Sequence, residues 1–160
     1  MPWELTIRSS DNAALGDTAT VREKITAAIP GIQFHVEPSG AEKIIAARAM
    51  GVEFPDFIRK HMESSPARLE ALFEGDAFIM EMYGFDSQPV SMFYVDIRGN
   101  GNPMPALAAL CVPNGWAAIE NASGQPLNLT GSTASVWQSF RKYRDGAVSS
   151  ILNAIRDEPA

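Results

Sequence analysis

The sequence is poor in the residues that most often carry chemistry. It holds one cysteine, Cys111, and two histidines, His35 and His61, in 160 residues. A lone thiol rules out an internal disulfide. No His-x-x-x-His or Cys-x-x-Cys pair occurs, so the usual zinc spacings are missing and no metal or other cofactor is expected. Basic residues are also scarce, 13 against 19 acidic, for a formal charge of −6. Neutralising a phosphate backbone needs a basic face, so a nucleic-acid partner is not expected. No apolar run approaches the roughly 20 residues of a membrane span, and a membrane partner is not expected either. The opening MPWELTIR lacks the charged-then-apolar plan of a secretory leader. Together these absences predict a cytoplasmic protein, in which the sequons at Asn121 and Asn128 have no consequence.

What is present is apolar residues, 46% of the chain and spread along its whole length. That distribution predicts one domain over residues 1–160 with one continuous core. Trp3, Leu5 and Ile7 alternate with Glu4, Thr6 and Arg8, as in a half-buried strand. Thr20 and Glu23 have capping-box spacing, and Val21, Ile25, Ala28 and Ile29 then form a helical stripe that Pro30-Gly31 ends. Ile32, Phe34 and Val36 alternate again. Ser39 and Glu42 repeat the capping-box spacing ahead of a helix over 41–50, and Pro55 suits the first turn of a short helix over 55–63.

The middle of the chain reads as an antiparallel meander. Leu69, Ala71 and Phe73 alternate with charged neighbours, Gly75-Asp76 makes a tight turn, and Phe78, Met80 and Met82 alternate on the return. Residues 90–98 are apolar on both sides, which predicts a central strand covered on both faces. Gly99-Asn100-Gly101-Asn102-Pro103 breaks that strand, with Asn102 as cap and Pro103 as first residue of a helix carrying Met104, Leu107, Leu110 and Cys111. Trp116 and Ala118 open another strand, and Leu127 and Leu129 complete a hairpin. A final stripe of Val136, Trp137, Phe140, Arg144, Val148, Ile151, Leu152 and Ile155 predicts a long amphipathic C-terminal helix. Strands come in runs rather than alternating strictly with helices. The expected fold class is therefore α+β, a mainly antiparallel sheet with a central meander and helices packed on it.

Four groups of residues invite a functional reading, each against a plainer one. The loop Gly99, Asn100, Gly101, Asn102 leads into a helix start, where free amides can hold an anion. It has neither the P-loop nor the dinucleotide pattern, and an ordinary strand-to-helix turn explains it. Glu70, Glu74 and Glu81 fall on one hairpin, with Asp76 at its turn. Paired acids serve hydrolases, a charged face serves docking to a basic protein, and a solvated sheet face is the plain reading. Cys111 lies on an apolar helical stripe, as an inert buried thiol does, and the serines lack the G-x-S-x-G and S-x-x-K contexts of nucleophiles. Phe78, Met80, Met82, Tyr83, Phe85, Met92, Phe93 and Tyr94 supply core, and leave an apolar patch over for a partner or a homodimer if helices cover only one sheet face.

Residues 95–120 (VDIRGNGNPMPALAALCVPNGWAAIE) run strand, Gly-Asn turn, helix, then Gly-Trp opening a strand, with a Ser-Gly turn at 123–124. This quarter of the chain resembles uncharacterised bacterial cytoplasmic proteins and, more loosely, the small immunity proteins of toxin systems. Gly101, Asn102, Pro103, Gly115 and Trp116 are the matching residues. The resemblance carries no catalytic residue, because immunity proteins act by binding. The expectation is a non-enzymatic protein-binding domain that neutralises a toxin through an acidic rim around apolar anchors. Two alternatives stay open: a small enzyme or ligand-binding domain with its pocket near residues 99–103 or beside the carboxylate hairpin, and a homo-oligomeric structural protein using the strands of 78–94 or the last helix.

Overall fold

The computed structural model describes residues 2–130 and, beyond them, 137–138, 141–142, 144–146 and 155–156. The elements follow in the order β1 (Trp3–Ser9), α1 (Thr18–Ala28), β2 (Gln33–Glu37), α2 (Gly40–Ala49), α3 (Asp56–Glu63), β3 (Arg68–Glu74), β4 (Phe78–Tyr83), β5 (Met92–Gly99), α4 (Met104–Cys111) and β6 (Trp116–Glu120). The strands form one six-stranded sheet in the order β2-β3-β4-β5-β1-β6, with every pair antiparallel. The α+β class and the meander β3-β4-β5 are as the sequence predicts.

Alternation decides which way each strand faces. Trp3, Leu5 and Ile7 of β1 are buried on the same side as Met80 and Met82 of β4 and Phe93, Val95 and Ile97 of β5. Val21 and Ile25 of α1 and Met104, Leu107, Leu110 and Cys111 of α4 close over that side and complete one core cluster. Phe93 sits at its centre, stacked on Phe85 with ring centroids 5.0 Å apart and edge-on to Trp116 at 5.9 Å. Trp137 joins the cluster against Trp3, 5.7 Å between centroids.

Helix α2 starts as predicted. The Ser39 side chain accepts from the Glu42 amide at 3.2 Å, and Glu42 Oε2 accepts from the Ser39 amide at 2.8 Å. Helix α1 starts earlier than predicted. Asp17, not Thr20, is its cap, its carboxylate accepting from the Thr20 amide at 2.7 Å. The carboxylate is a stronger acceptor than a hydroxyl, and taking the Thr20 amide places Thr20 inside the first turn.

Three further expectations change. Strand β5 is central but is not covered on both sides: its buried residues are Phe93, Val95 and Ile97, while Tyr94 and Asp96 are only half-buried and Arg98 is exposed. The strand at Leu127 and Leu129 reduces to an isolated bridge between Ile119 and Pro126, with the Leu127 amide donating to the Ala118 carbonyl at 2.8 Å. The long C-terminal helix falls mostly outside the described residues. Within them, Trp137 is buried, whereas Ile155, which the stripe would bury, is 64% exposed.

Helices α2 and α3 stand apart. They pack mainly on each other, at the end of the sheet where β2 hands over to β3. Gly40 makes their contact close. Its amide donates to the Ser65 carbonyl at 2.9 Å, and a Cβ there would lie 1.6 Å from the Met62 carbonyl oxygen. Ile44 is buried in this hairpin but lies outside the main core cluster.

Candidate functional site: the outer face of the sheet

Since α1 and α4 take one face of the sheet, the residues that alternate with the core point to the other. Pairing registers place them in rows running across the strands. Glu4, Asp96 and Glu81 follow one another on β1, β5 and β4, then Leu72 on β3 and Gln33 on β2. The next row holds Thr6, Tyr94 and Tyr83 on β1, β5 and β4. On the other side of the acidic row, Arg98 pairs with Ile79 and Ile79 with Glu74. Ile79, Tyr83 and Met92 are among the exposed large apolar side chains.

The rows are knit by solvent-facing polar contacts. Arg98 donates to Glu81 Oε2 at 3.3 Å, and the Tyr83 hydroxyl donates to Asp96 Oδ1 at 3.3 Å. Partial burial and then the nearby Asp96 carboxylate hold the Tyr83 phenol above its ordinary range, so Tyr83 is a hydrogen-bond donor at neutral pH. The rings of Tyr83 and Tyr94 lie 5.5 Å apart. Toward the β2 edge, His35 Nε2 lies 3.2 Å from Glu70 Oε2. His35, Glu70, Leu72, Glu81 and Tyr83 border a shallow depression of about 200 Å³, below the roughly 300 Å³ at which small-molecule pockets begin.

The structure thus brings Glu70, Glu74 and Glu81 onto one face, as their alternation implies. Glu70 and Glu81 share the depression, and Glu74 stands a row away beside Ile79. Alternation could not reveal that Glu4 and Asp96 extend Glu81 into a row, because β1 and β5 pair across about ninety residues of chain.

The loop of Gly99, Asn100, Gly101 and Asn102 lies elsewhere and is occupied by its own fold. The Asn100 and Gly101 amides both donate to the Ala77 carbonyl, at 3.0 and 2.8 Å, and the Met104 amide donates to Asn102 Oδ1 at 3.0 Å. Those amides are not free for an anion. The glycines permit this closeness: a Cβ on Gly99 would lie 2.5 Å from the Ala77 oxygen, and Gly99 has φ +112°. Arg144 clasps the loop, donating to the Gly99 carbonyl at 2.7 Å and to Asn100 Oδ1 at 2.9 Å. Arg144 is therefore a fastening, whereas its basic neighbours Arg141 and Lys142 are exposed. Burial pushes the Cys111 thiol up to about 12, far from a nucleophile's range.

Among the described residues no group of three or more His, Cys, Asp and Glu side chains is placed to hold a metal ion, and no helix is long and apolar enough to cross a membrane. The chain matches no family model, no curated protein and no solved structure.

Proposed function

We propose that the chain is a non-enzymatic, cytoplasmic protein-binding domain whose outer sheet face receives a basic protein surface. The observation that carries this reading is the row Glu4, Asp96 and Glu81 on three adjacent strands, flanked by the Tyr83–Tyr94 pair. Like charges side by side on a sheet oppose folding slightly. Here Arg98 pairs with Glu81 and the Tyr83 hydroxyl donates to Asp96, which offsets the repulsion in part. A partner's arginines complete the relief: guanidinium groups bond carboxylates in pairs and stack on tyrosine rings. Ile79 and Met92 supply apolar contact beside them. The net charge of −6 draws such a partner in from a distance.

The carboxylates lie along a line and pair with solvated neighbours rather than converge on one point, which favours docking over hydrolysis. The small volume beside His35 and the occupied amides of residues 99–101 weaken the ligand-pocket alternative in the same way. A toxin-neutralising immunity protein is the form of binding protein that the resemblance over residues 95–120 suggests, and the acidic face fits one whose target binds anions.

The test is kinetic. The protein encoded by the adjacent gene is titrated by biolayer interferometry against the wild type and against Glu81→Lys/Asp96→Lys. Tight binding whose association rate falls at least tenfold in the variant, and falls steeply with salt, supports the reading. Absence of binding, or binding indifferent to the charge reversal, overturns it.

A further inference from the structure

The two edges of the sheet are finished differently. At β6 the chain covers its own edge: the Glu120 amide donates to Gln125 at 2.9 Å, the Leu127 amide donates to Ala118 at 2.8 Å, and Ile119 bridges Pro126. At β2, the other edge, residues 33–37 pair with β3 alone among the described residues. Edge strands are ordinarily blunted by lysine, proline or a bulge. The strand Gln-Phe-His-Val-Glu contains none of these, and Pro38 comes only after its end. Val36, on the core side of the sheet, is nevertheless 62% exposed, because the core stops short of it.

This strand is complementary to itself. Laid antiparallel against a second copy with His35 opposite His35, it sets Phe34 opposite Val36 twice on the core side and Gln33 opposite Glu37 twice on the outer side. Both pairings are favourable, apolar with apolar and amide with carboxylate, and a two-fold axis through His35 generates each of them twice. Shifting the register by two residues breaks the set: one direction leaves Glu37 opposite Gly31, and the other puts Phe34 against Pro38.

We propose that the chain forms a two-fold dimer by antiparallel pairing of β2 with β2 of a second copy, centred on His35, so that one sheet runs through both molecules. A five-residue ladder buries less than the roughly 1,200 Å² of a stable interface. The helical hairpin that leaves this end of the sheet supplies more apolar surface, with Ile45, Met50, Val52 and Phe57 all exposed. The sequence expectation placed self-association on the apolar strands of 78–94 or on the last helix. Those strands are β4 and β5, which have a strand on either side within the sheet and so offer a face, whereas β2 offers a free edge among the described residues. The dimer uses an edge and the proposed docking surface a face, so either can fail without the other.

The experiment combines mass and register. Sedimentation equilibrium of the full chain at tens of micromolar is expected to give twice the chain mass, and Val36→Lys is expected to give the monomer with an unchanged circular dichroism spectrum. His35→Cys is then expected to cross-link to itself with a short bismaleimide, whereas Phe34→Cys and Val36→Cys cross-link far less. Buried Cys111 does not interfere. A monomeric wild type, a dimer that survives Val36→Lys, or preferential cross-linking at 34 or 36 each overturns the proposal.

Discussion

Cys111 shows how completely a neighbourhood can silence a reactive group. It is fully buried on α4 beneath the sheet, and its thiol is held up near 12 by lack of solvation. The thiolate is the reactive species. Thiol reagents at pH 8 are therefore expected to label Cys111 at least a hundredfold more slowly in the native protein than in urea, as followed by absorbance; equal rates would mean that α4 does not pack as described. At Gly101 the constraint is space. An added Cβ would lie 2.7 Å from the Ala77 side chain and 3.0 Å from its carbonyl carbon. Gly101→Ala is expected to cost about 1–3 kcal/mol in urea unfolding. Ala77→Gly in the same chain is expected to recover only part of that, because the backbone of residue 77 stays in the way.

Among the elements, the starts of α1 and α2 are sensitive to acid, and only the second was read correctly from sequence. Amide donors, Thr20 first for Asp17 and Ser39 first for Glu42, hold both carboxyls below their ordinary range. A depressed folded pKa gives stabilisation that is present above the unfolded value, near 4, and is lost as pH falls through the folded value. Amide exchange at the first turns of α1 and α2 is expected to accelerate as pH drops from about 5 to about 3, beyond the intrinsic pH dependence of exchange. Asp17→Asn keeps a cap but removes the titration, and should flatten the response at α1; an unchanged response would remove Asp17 as its source. Ser39→Ala is expected to destabilise α2 by about 1 kcal/mol. Since α2 and α3 pack mainly on each other, that loss should appear as faster exchange over residues 40–63 with little change in global unfolding.

At the scale of the whole molecule, one core on one sheet face carries the packing on which stability rests. Leu107 is fully buried between α4 and the sheet, and Leu107→Ala is expected to cost about 2–5 kcal/mol. Arg144 ties the described C-terminal residues to the turn after β5. Arg144→Ala is expected to cost about 1.5–3 kcal/mol in thermal or urea unfolding, the range for hydrogen bonds that involve a charged group; an unchanged stability would show that the clasp contributes nothing. Because α1 and α4 lie on one side, the other face is left mainly to charges and tyrosines, and it is this face that the proposed docking uses.

The alternation in β1, β3 and β4, the Ser39–Glu42 capping box and the helix after Pro103 were determined by the sequence itself, because each rests on neighbours within a turn or a strand. The choice of Asp17 over Thr20 as cap was missed because two acceptors competed for the same first turn. The covered outer face expected for residues 90–98 failed for another reason: apolar content does not say on which side helices will settle. Tertiary structure alone decided the strand order β2-β3-β4-β5-β1-β6. That order depends on β1 finding β5 and β6 some ninety to one hundred and fifteen residues away, a choice made by the shared core rather than by any local signal. It is also what assembles Glu4, Asp96 and Glu81 into a row and leaves β2 at an open edge, so the surfaces proposed for function exist only once the chain has folded.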